Sequence, residues 1–138
     1  MRIIAFDTGS KRIGVAASDE TALIAQGVGY IENNKNLKDK ISILFKRYNP
    51  EEIVIGEPKS MDGRKRENKS LNEFLSLVRS IAGDKKIILW DERLTTHQAE
   101  KILIKSNVSR KKRKKNIDKL SATIILQSYL DYKNYRKK

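Results

Sequence analysis

Asp7, the pair Asp91-Glu92, and Asp118 are the residues of this 138-residue chain whose type and placement could do chemistry. Asp7 closes an apolar run, Asp91-Glu92 follows another, and Asp118 opens the last amphipathic stretch. Hydrolysis of a phosphodiester with two metal ions about 4 Å apart needs carboxylates that converge from separate elements, one ion activating water and the other stabilising the leaving oxygen. Asp7 sits between Phe6 and a turn, which implies a rigid backbone. Asp118 falls in the first turn of a predicted helix, where the dipole favours an anion. Ser121 and Ala122, three and four residues later on the same face, are small enough to let that face approach the strand ends closely. Singly, each acid has a plain alternative as a turn former, a surface acid or a capping residue. Only their joint placement points to a site.

Composition narrows the chemistry. There is no cysteine, so neither a disulfide framework nor a thiolate metal site is available, and a reducing, cytoplasmic setting is the expectation. With His97 as the one histidine, zinc is a poor fit, and oxygen ligands point to Mg2+ or Mn2+. His97 itself reads as a surface or packing residue. The N-terminal apolar run is too short for a signal peptide, and no stretch is long enough to span a membrane. The net charge of +13 is polarised: residues 1–57 carry 8 Lys/Arg and 8 Asp/Glu, and residues 58–138 carry 22 and 9. A surface of that kind suits a phosphate backbone, whose counterions are released on binding.

The elements that must position the acids can be read from periodicity. Arg2–Asp7 and Arg12–Ser18 read as strands joined by a five-residue-spaced hairpin through Thr8-Gly9-Ser10, and Ala22–Ile31 as a third strand that Gly27 and Gly29 allow to bend or bulge. Leu37, Ile41, Leu44, Phe45 and Tyr48 keep helical spacing over Lys35–Tyr48, ended by Asn49-Pro50. Ile53–Gly56 is a buried strand, and Glu57–Arg66 a polar loop. Leu71, Phe74, Leu75, Val78 and Ile81 mark a second helix ending near Gly83. A strand over Lys86–Trp90, a helix over Leu94–Ile104, a loop over Ser106–Lys115 and a helix over Ile117–Tyr132 complete one domain, 1–138. The implied fold is α/β, a mixed five-stranded sheet of three antiparallel and then two parallel strands flanked by helices. Its chemistry should gather beyond the C-terminal ends of the parallel strands.

Four blocks of sequence carry a family resemblance. They are Asp7-Thr8-Gly9-Ser10-Lys11-Arg12-Ile13-Gly14-Val15-Ala16; Gly56-Glu57-Pro58 with Met61-Asp62-Gly63; Asp91-Glu92-Arg93-Leu94-Thr95-Thr96 with Ala99; and Ile117-Asp118-Lys119-Leu120-Ser121-Ala122 with Ile125-Leu126-Gln127-Ser128-Tyr129-Leu130. In that order, over nearly the whole chain, they resemble the YqgF/RuvX family of the ribonuclease H-like superfamily. The resemblance implies a ribonuclease H-like fold and a nuclease linked to maturation of the 5′ end of bacterial pre-16S ribosomal RNA. An alternative is resolution of Holliday junctions in branched DNA. It places the family's acids on Asp7, Glu92 and Asp118, with Mg2+ or Mn2+ as the expected cofactor. Asp91 could share the role of Glu92, although neighbours on an extended strand point oppositely. Glu57 stands where the family often has leucine and near where RuvC-type resolvases place a metal-binding glutamate. As a fourth ligand it competes with a solvated loop residue, which is the stronger expectation.

The basic residues complete the reading. Arg110-Lys111-Lys112-Arg113-Lys114-Lys115 directly precedes the predicted helix bearing Asp118, and its like charges should keep it mobile in isolation. Lys59, Arg64, Lys65, Arg66 and Lys69 form a second cluster, with Lys11, Arg12 and Arg93 near the acids. These are the candidate nucleic-acid contacts. No interleaved aromatic pattern for stacking single-stranded bases is visible, which favours recognition by shape and backbone. Two other classes compete: an actin-like ATPase or sugar kinase, whose phosphate turn Asp7-Thr8-Gly9-Ser10 resembles but for which 138 residues leave no room, and a non-catalytic RNA-binding factor on ribosomal precursor particles. A monomer or weak homodimer is expected. Junction resolution would need a symmetric dimer and RNA trimming would not, which ranks RNA processing first.

Overall fold

Ile3–Phe6 and Ile53–Ile55 lie fully buried in neighbouring parallel strands of one sheet, because helices cover both faces of each. A computed structural model describes residues 1–9, 11–57, 69–91 and 110–136, with residues 110–119 and 136 described by their backbone alone. Its elements are β1 (Ile3–Thr8), β2 (Arg12–Ser18), β3 (Ala25–Glu32), α1 (Leu37–Tyr48), β4 (Glu52–Glu57), α2 (Lys69–Ala82), β5 (Lys86–Asp91) and α3 (Arg110–Arg136). The sheet order is β3-β2-β1-β4-β5. β1, β2 and β3 pair antiparallel, and β1, β4 and β5 pair parallel, as the element order predicts.

Strand alternation sorts the core into two layers. Ile4, Phe6, Ile13, Val15, Ile53 and Ile55 face α1 and α2, where Phe6 meets Phe74 edge-on at 5.3 Å and Phe45 at 6.4 Å. Ile3, Ala5, Ala16 and Val54 face α3 through Ala122, Ile125, Leu126, Tyr129 and Leu130. The helix stops follow the sequence. Asn49 adopts the left-handed conformation (φ 43°) and its N–H bonds the Phe45 carbonyl at 2.8 Å, and Gly83 takes the same left-handed conformation after α2 with φ 64°.

Two boundaries differ from expectation. β3 begins at Ala25 rather than Ala22, because the Asp19 carboxylate accepts the backbone N–H groups of Leu23 and Ile24 and holds the chain in a turn with Ala22 at φ 58°. The Thr21 hydroxyl and those two N–H groups, in that neighbourhood, keep the Asp19 carboxyl down to about 2. The bulge expected near Gly27 and Gly29 is present: Val15 opposes Gly29 and Ala16 opposes Gly27, leaving Val28 as the extra residue. The second difference is the run Arg110–Lys115, expected as a loop, which has helical backbone as the opening of α3. Lysine and arginine are good helix formers, and a helix fans successive side chains around its axis, so propensity outweighs repulsion here. The predicted helix Leu94–Ile104, nearly all of the loop Glu57–Arg66 and the first four residues of the loop Ser106–Lys115 lie outside the described residues.

One polar cluster fixes the orientation of α3. Glu52, at the start of β4, accepts a hydrogen bond from the Tyr129 hydroxyl at 2.6 Å and pairs with the Lys133 ammonium. Burial would raise the Glu52 carboxyl, but the bonds from Lys133 and Tyr129 outweigh it and hold it below its ordinary 4.5. Burial and the same bond push the Tyr129 hydroxyl well above its usual range. A carboxyl depressed on folding contributes stability that is present above 4.5 and lost as pH falls through its lower folded value. Denaturant titrations from about pH 6 downward should therefore show stability falling below about pH 4.5. Glu52→Gln should flatten that fall, and an identical profile for the variant would remove Glu52 as its source.

Candidate active site

The position of Asp7 follows from the strand that carries it. β1 is anchored by Ile3–Phe6, and Asp7 comes next, half-buried, on the α3 side with Ile3 and Ala5. The turn beyond it is constrained: a Cβ on Gly9 would lie 2.5 Å from the Arg12 carbonyl oxygen, so only glycine fits. Asn33 ties this turn to the end of β3, donating its side-chain amide to the Gly9 carbonyl at 3.2 Å and its N–H to the Lys11 carbonyl at 2.9 Å.

α3 carries the second candidate acid, Asp118. Its C-terminal half is clamped at the pole where β1 and β4 begin, by Tyr129 and Lys133 on Glu52 and by the Asn134 amide on the Ala22 carbonyl at 3.0 Å. Gln127 works as a surrogate strand, accepting the Ala25 N–H and donating to the Leu23 carbonyl, each at 2.9 Å. From there the helix runs back over Ala5 and Ala16, with Ala122 and Ser121 buried at the crossing. Two residues of strand from Ala5 to Asp7 advance about 6.6 Å. Four residues of helix from Ala122 back to Asp118 advance about 6 Å in the same direction. The backbone of Asp118 is thus carried to the end of the sheet that holds Asp7. The small residues Ser121 and Ala122 do occupy the close-packed face expected of them.

Asp91 and Glu57 stand differently. They are register partners at the ends of β5 and β4, and strand alternation puts both on the α1/α2 side with Ile53 and Ile55, opposite Asp7. Extending the β1–β4 register, the β4 residue beside Asp7 is Gly56. Glu57 is also not the solvated loop residue expected: it is the last residue of β4 and only 8% exposed, because the ladder continues two pairs beyond the β-branched run. Glu92, Arg93, Lys59, Arg64, Arg66 and His97 lie outside the described residues, and Arg110–Lys115 and Asp118 are placed by backbone alone. Among the described residues, no three acids or histidines gather closely enough to hold a metal.

A model of the RuvX family, described as Holliday junction resolvase, matches residues 1–132. The chain belongs to the RuvX family. Relatives from Bacillus cytotoxicus and Bacillus subtilis, each named "Putative pre-16S rRNA nuclease", are 45% and 44% identical to it over 96% and 97% of this chain and all of theirs. Among solved structures, the fowlpox virus resolvase in complex with Holliday junction DNA superposes with a TM-score of 0.63 at 19% identity, covering 96% of this chain and 98% of that one. The RuvC of T. thermophilus with its junction substrate gives 0.59 at 15%, covering 97% and 96%. The fold is thus the ribonuclease H-like one expected.

Against that fold, the RuvX chain shows residues whose part the sequence did not disclose. Gln127 lies in a recognisable motif, yet its clamp on β3 depends on a contact 102 residues away. Tyr30 has the outward position of an alternating strand, but its neighbours become visible only through the register Asp7↔Gly14↔Tyr30. Among the described residues no helix is long and apolar enough to cross a membrane.

Proposed function

We propose that this chain is a metal-dependent nuclease that cleaves phosphodiester bonds in the 5′-end maturation of pre-16S ribosomal RNA, with Asp7, Glu92 and Asp118 as its carboxylates. The observation that carries the reading is the crossing of α3 over Ala5 and Ala16, from which the helix runs back through Asp118 toward the end of the sheet holding Asp7. The names borne by the 44–45% identical relatives support the choice of substrate. The donor set is one of hard carboxylate oxygens, which fits Mg2+ or Mn2+. When bound, such ions polarise the phosphate and lower the pKa of attacking water.

The chain's own residues do the rest. Asp7 presents its carboxylate from a strand whose preceding four residues are immobilised in the core. Asp118 brings a second negative charge on a rigid helix. With Asp91 facing the other side of the sheet, the third carboxylate falls to Glu92. Arg110–Lys115 precede Asp118 in the turns of α3, and the positive charge of that run supports binding of a phosphate backbone next to these acids.

The test is cleavage of a pre-16S 5′-end RNA and of a four-way DNA junction, each with Mg2+, with Mn2+ and with chelator. Metal-dependent cutting of the RNA is the expected result. Cutting that survives chelation would overturn the carboxylate mechanism, and cutting of the junction alone would move the substrate to branched DNA.

A further inference from the structure

Tyr30 lies in the same cross-strand row as Asp7. Asp7 pairs with Gly14 on β2, and Gly14 pairs with Tyr30 on β3, so alternation puts Asp7 and Tyr30 on one face of the sheet. Two strand spacings separate their backbones by roughly 10 Å. The residue between them is a glycine, so no side chain from β2 stands in the row. Tyr30 is 48% exposed, on a strand at the open edge of the sheet. The Arg12 guanidinium lies 5.3 Å from the centroid of its ring, held there from the neighbouring strand. An exposed aromatic that is already capped by a cation on one face offers its other face to a flat partner.

We propose that Tyr30 is a base-stacking residue for an unpaired nucleotide of the substrate, flanking the phosphodiester presented to Asp7, with Arg12 backing the ring. The inference rests on the nucleic-acid reading above and adds a subsite to it. The ligand is an unpaired nucleobase because every base has a π-face to stack on tyrosine, whereas bases inside a continuous duplex have theirs covered. The geometry also separates the tasks: Arg12 supplies charge, and Tyr30 supplies an uncharged surface. Nucleolytic substrates with single-stranded ends or loops would thus be held at two points, the cut phosphate and one splayed base.

The experiment measures binding of a short fluorescent single-stranded RNA, intact or abasic throughout, to the full chain and to its Tyr30→Ala and Tyr30→Phe variants over a range of salt. Tyr30→Ala should weaken binding of the intact strand by at least about 5-fold, from the usual worth of one base–aromatic stack. Tyr30→Phe should bind like the wild type. The log–log salt slope should stay the same in all three, because no phosphate contact is lost. On the abasic strand the Tyr30→Ala effect should vanish. Equal binding by Tyr30→Ala, or an equal loss on the abasic strand, would overturn the stacking role while leaving the nuclease reading intact. Failure of the wild type to bind either strand would overturn both. Circular dichroism of the variants checks their fold, which an exposed side chain on an edge strand should not determine.

Discussion

An Asp7→Asn chain should lose cleavage by more than about 100-fold while melting within a few degrees of the wild type. The figure is a lower bound, since loss of a partner that merely orients a metal ligand already costs 10- to 100-fold, and Asp7 is proposed as a ligand itself. Asparagine keeps the size of the side chain and one carbonyl oxygen but removes the negative charge. Stability should hold because β1 is fixed by Ile3, Ile4, Ala5 and Phe6, all fully buried. Nucleic-acid binding should survive too, as removing an acid from a chain of net charge +13 does not weaken attraction to phosphates. The comparison that gives the result meaning is Asp91→Asn with Glu57→Gln. Both residues sit on the α1/α2 side of the sheet, so each variant should cut within a few-fold of the wild-type rate. A loss in Asp91→Asn equal to that in Asp7→Asn would show that the strand end turns the other way and that Asp91 belongs with Asp7. Undiminished cutting by Asp7→Asn would remove the carboxylate mechanism altogether.

Asp91 and Glu57 also show where sequence reasoning reaches its limit. The alternation of strands argued that only one of Asp91 and Glu92 could serve, and the register puts Asp91 on the face of Ile53 and Ile55. The same reasoning had no means of seeing that Glu57 continues β4, because a glutamate after Ile-Val-Ile-Gly reads as the start of a loop. Its place is decided by the ladder with β5, a partner 34 residues on. The run Arg110–Lys115 failed for a related reason. Charge density argued for a solvated loop, while helix propensity and the long apolar stripe of Ala122, Ile125, Leu126, Tyr129 and Leu130 extend α3 through it. The strands, the helix faces and the mixed sheet were legible because they follow from local periodicity and the order of elements along the chain. Tyr30, Gln127 and the Glu52–Tyr129–Lys133 cluster depend on pairs of residues far apart in sequence, which periodicity does not report.

Ala122→Leu tests whether the crossing of α3 over the sheet, and not the mere presence of acids, makes the site. Ala122 is 0% exposed in the layer that includes Ala5 and Ala16, and three alanines at one crossing leave no volume for a larger side chain. Overpacking of this kind costs about 1–3 kcal/mol, so the variant should still fold, with a lowered melting temperature. The clamps at the other end of α3, through Gln127, Tyr129 and Lys133, should keep the helix docked there. The strain is then relieved toward the N-terminal half of α3, where Asp118 lies one turn away. A displacement of about 1 Å between catalytic groups can cost 100-fold in rate. Cleavage by Ala122→Leu should therefore fall by about that factor, although every acid and every basic residue is intact. Ala122→Ser, which adds one atom and matches the neighbouring Ser121, should keep most of the activity. If Ala122→Leu folds and cuts at the wild-type rate, the position of α3 does not set the geometry of the site, and the pairing of Asp118 with Asp7 loses its structural basis.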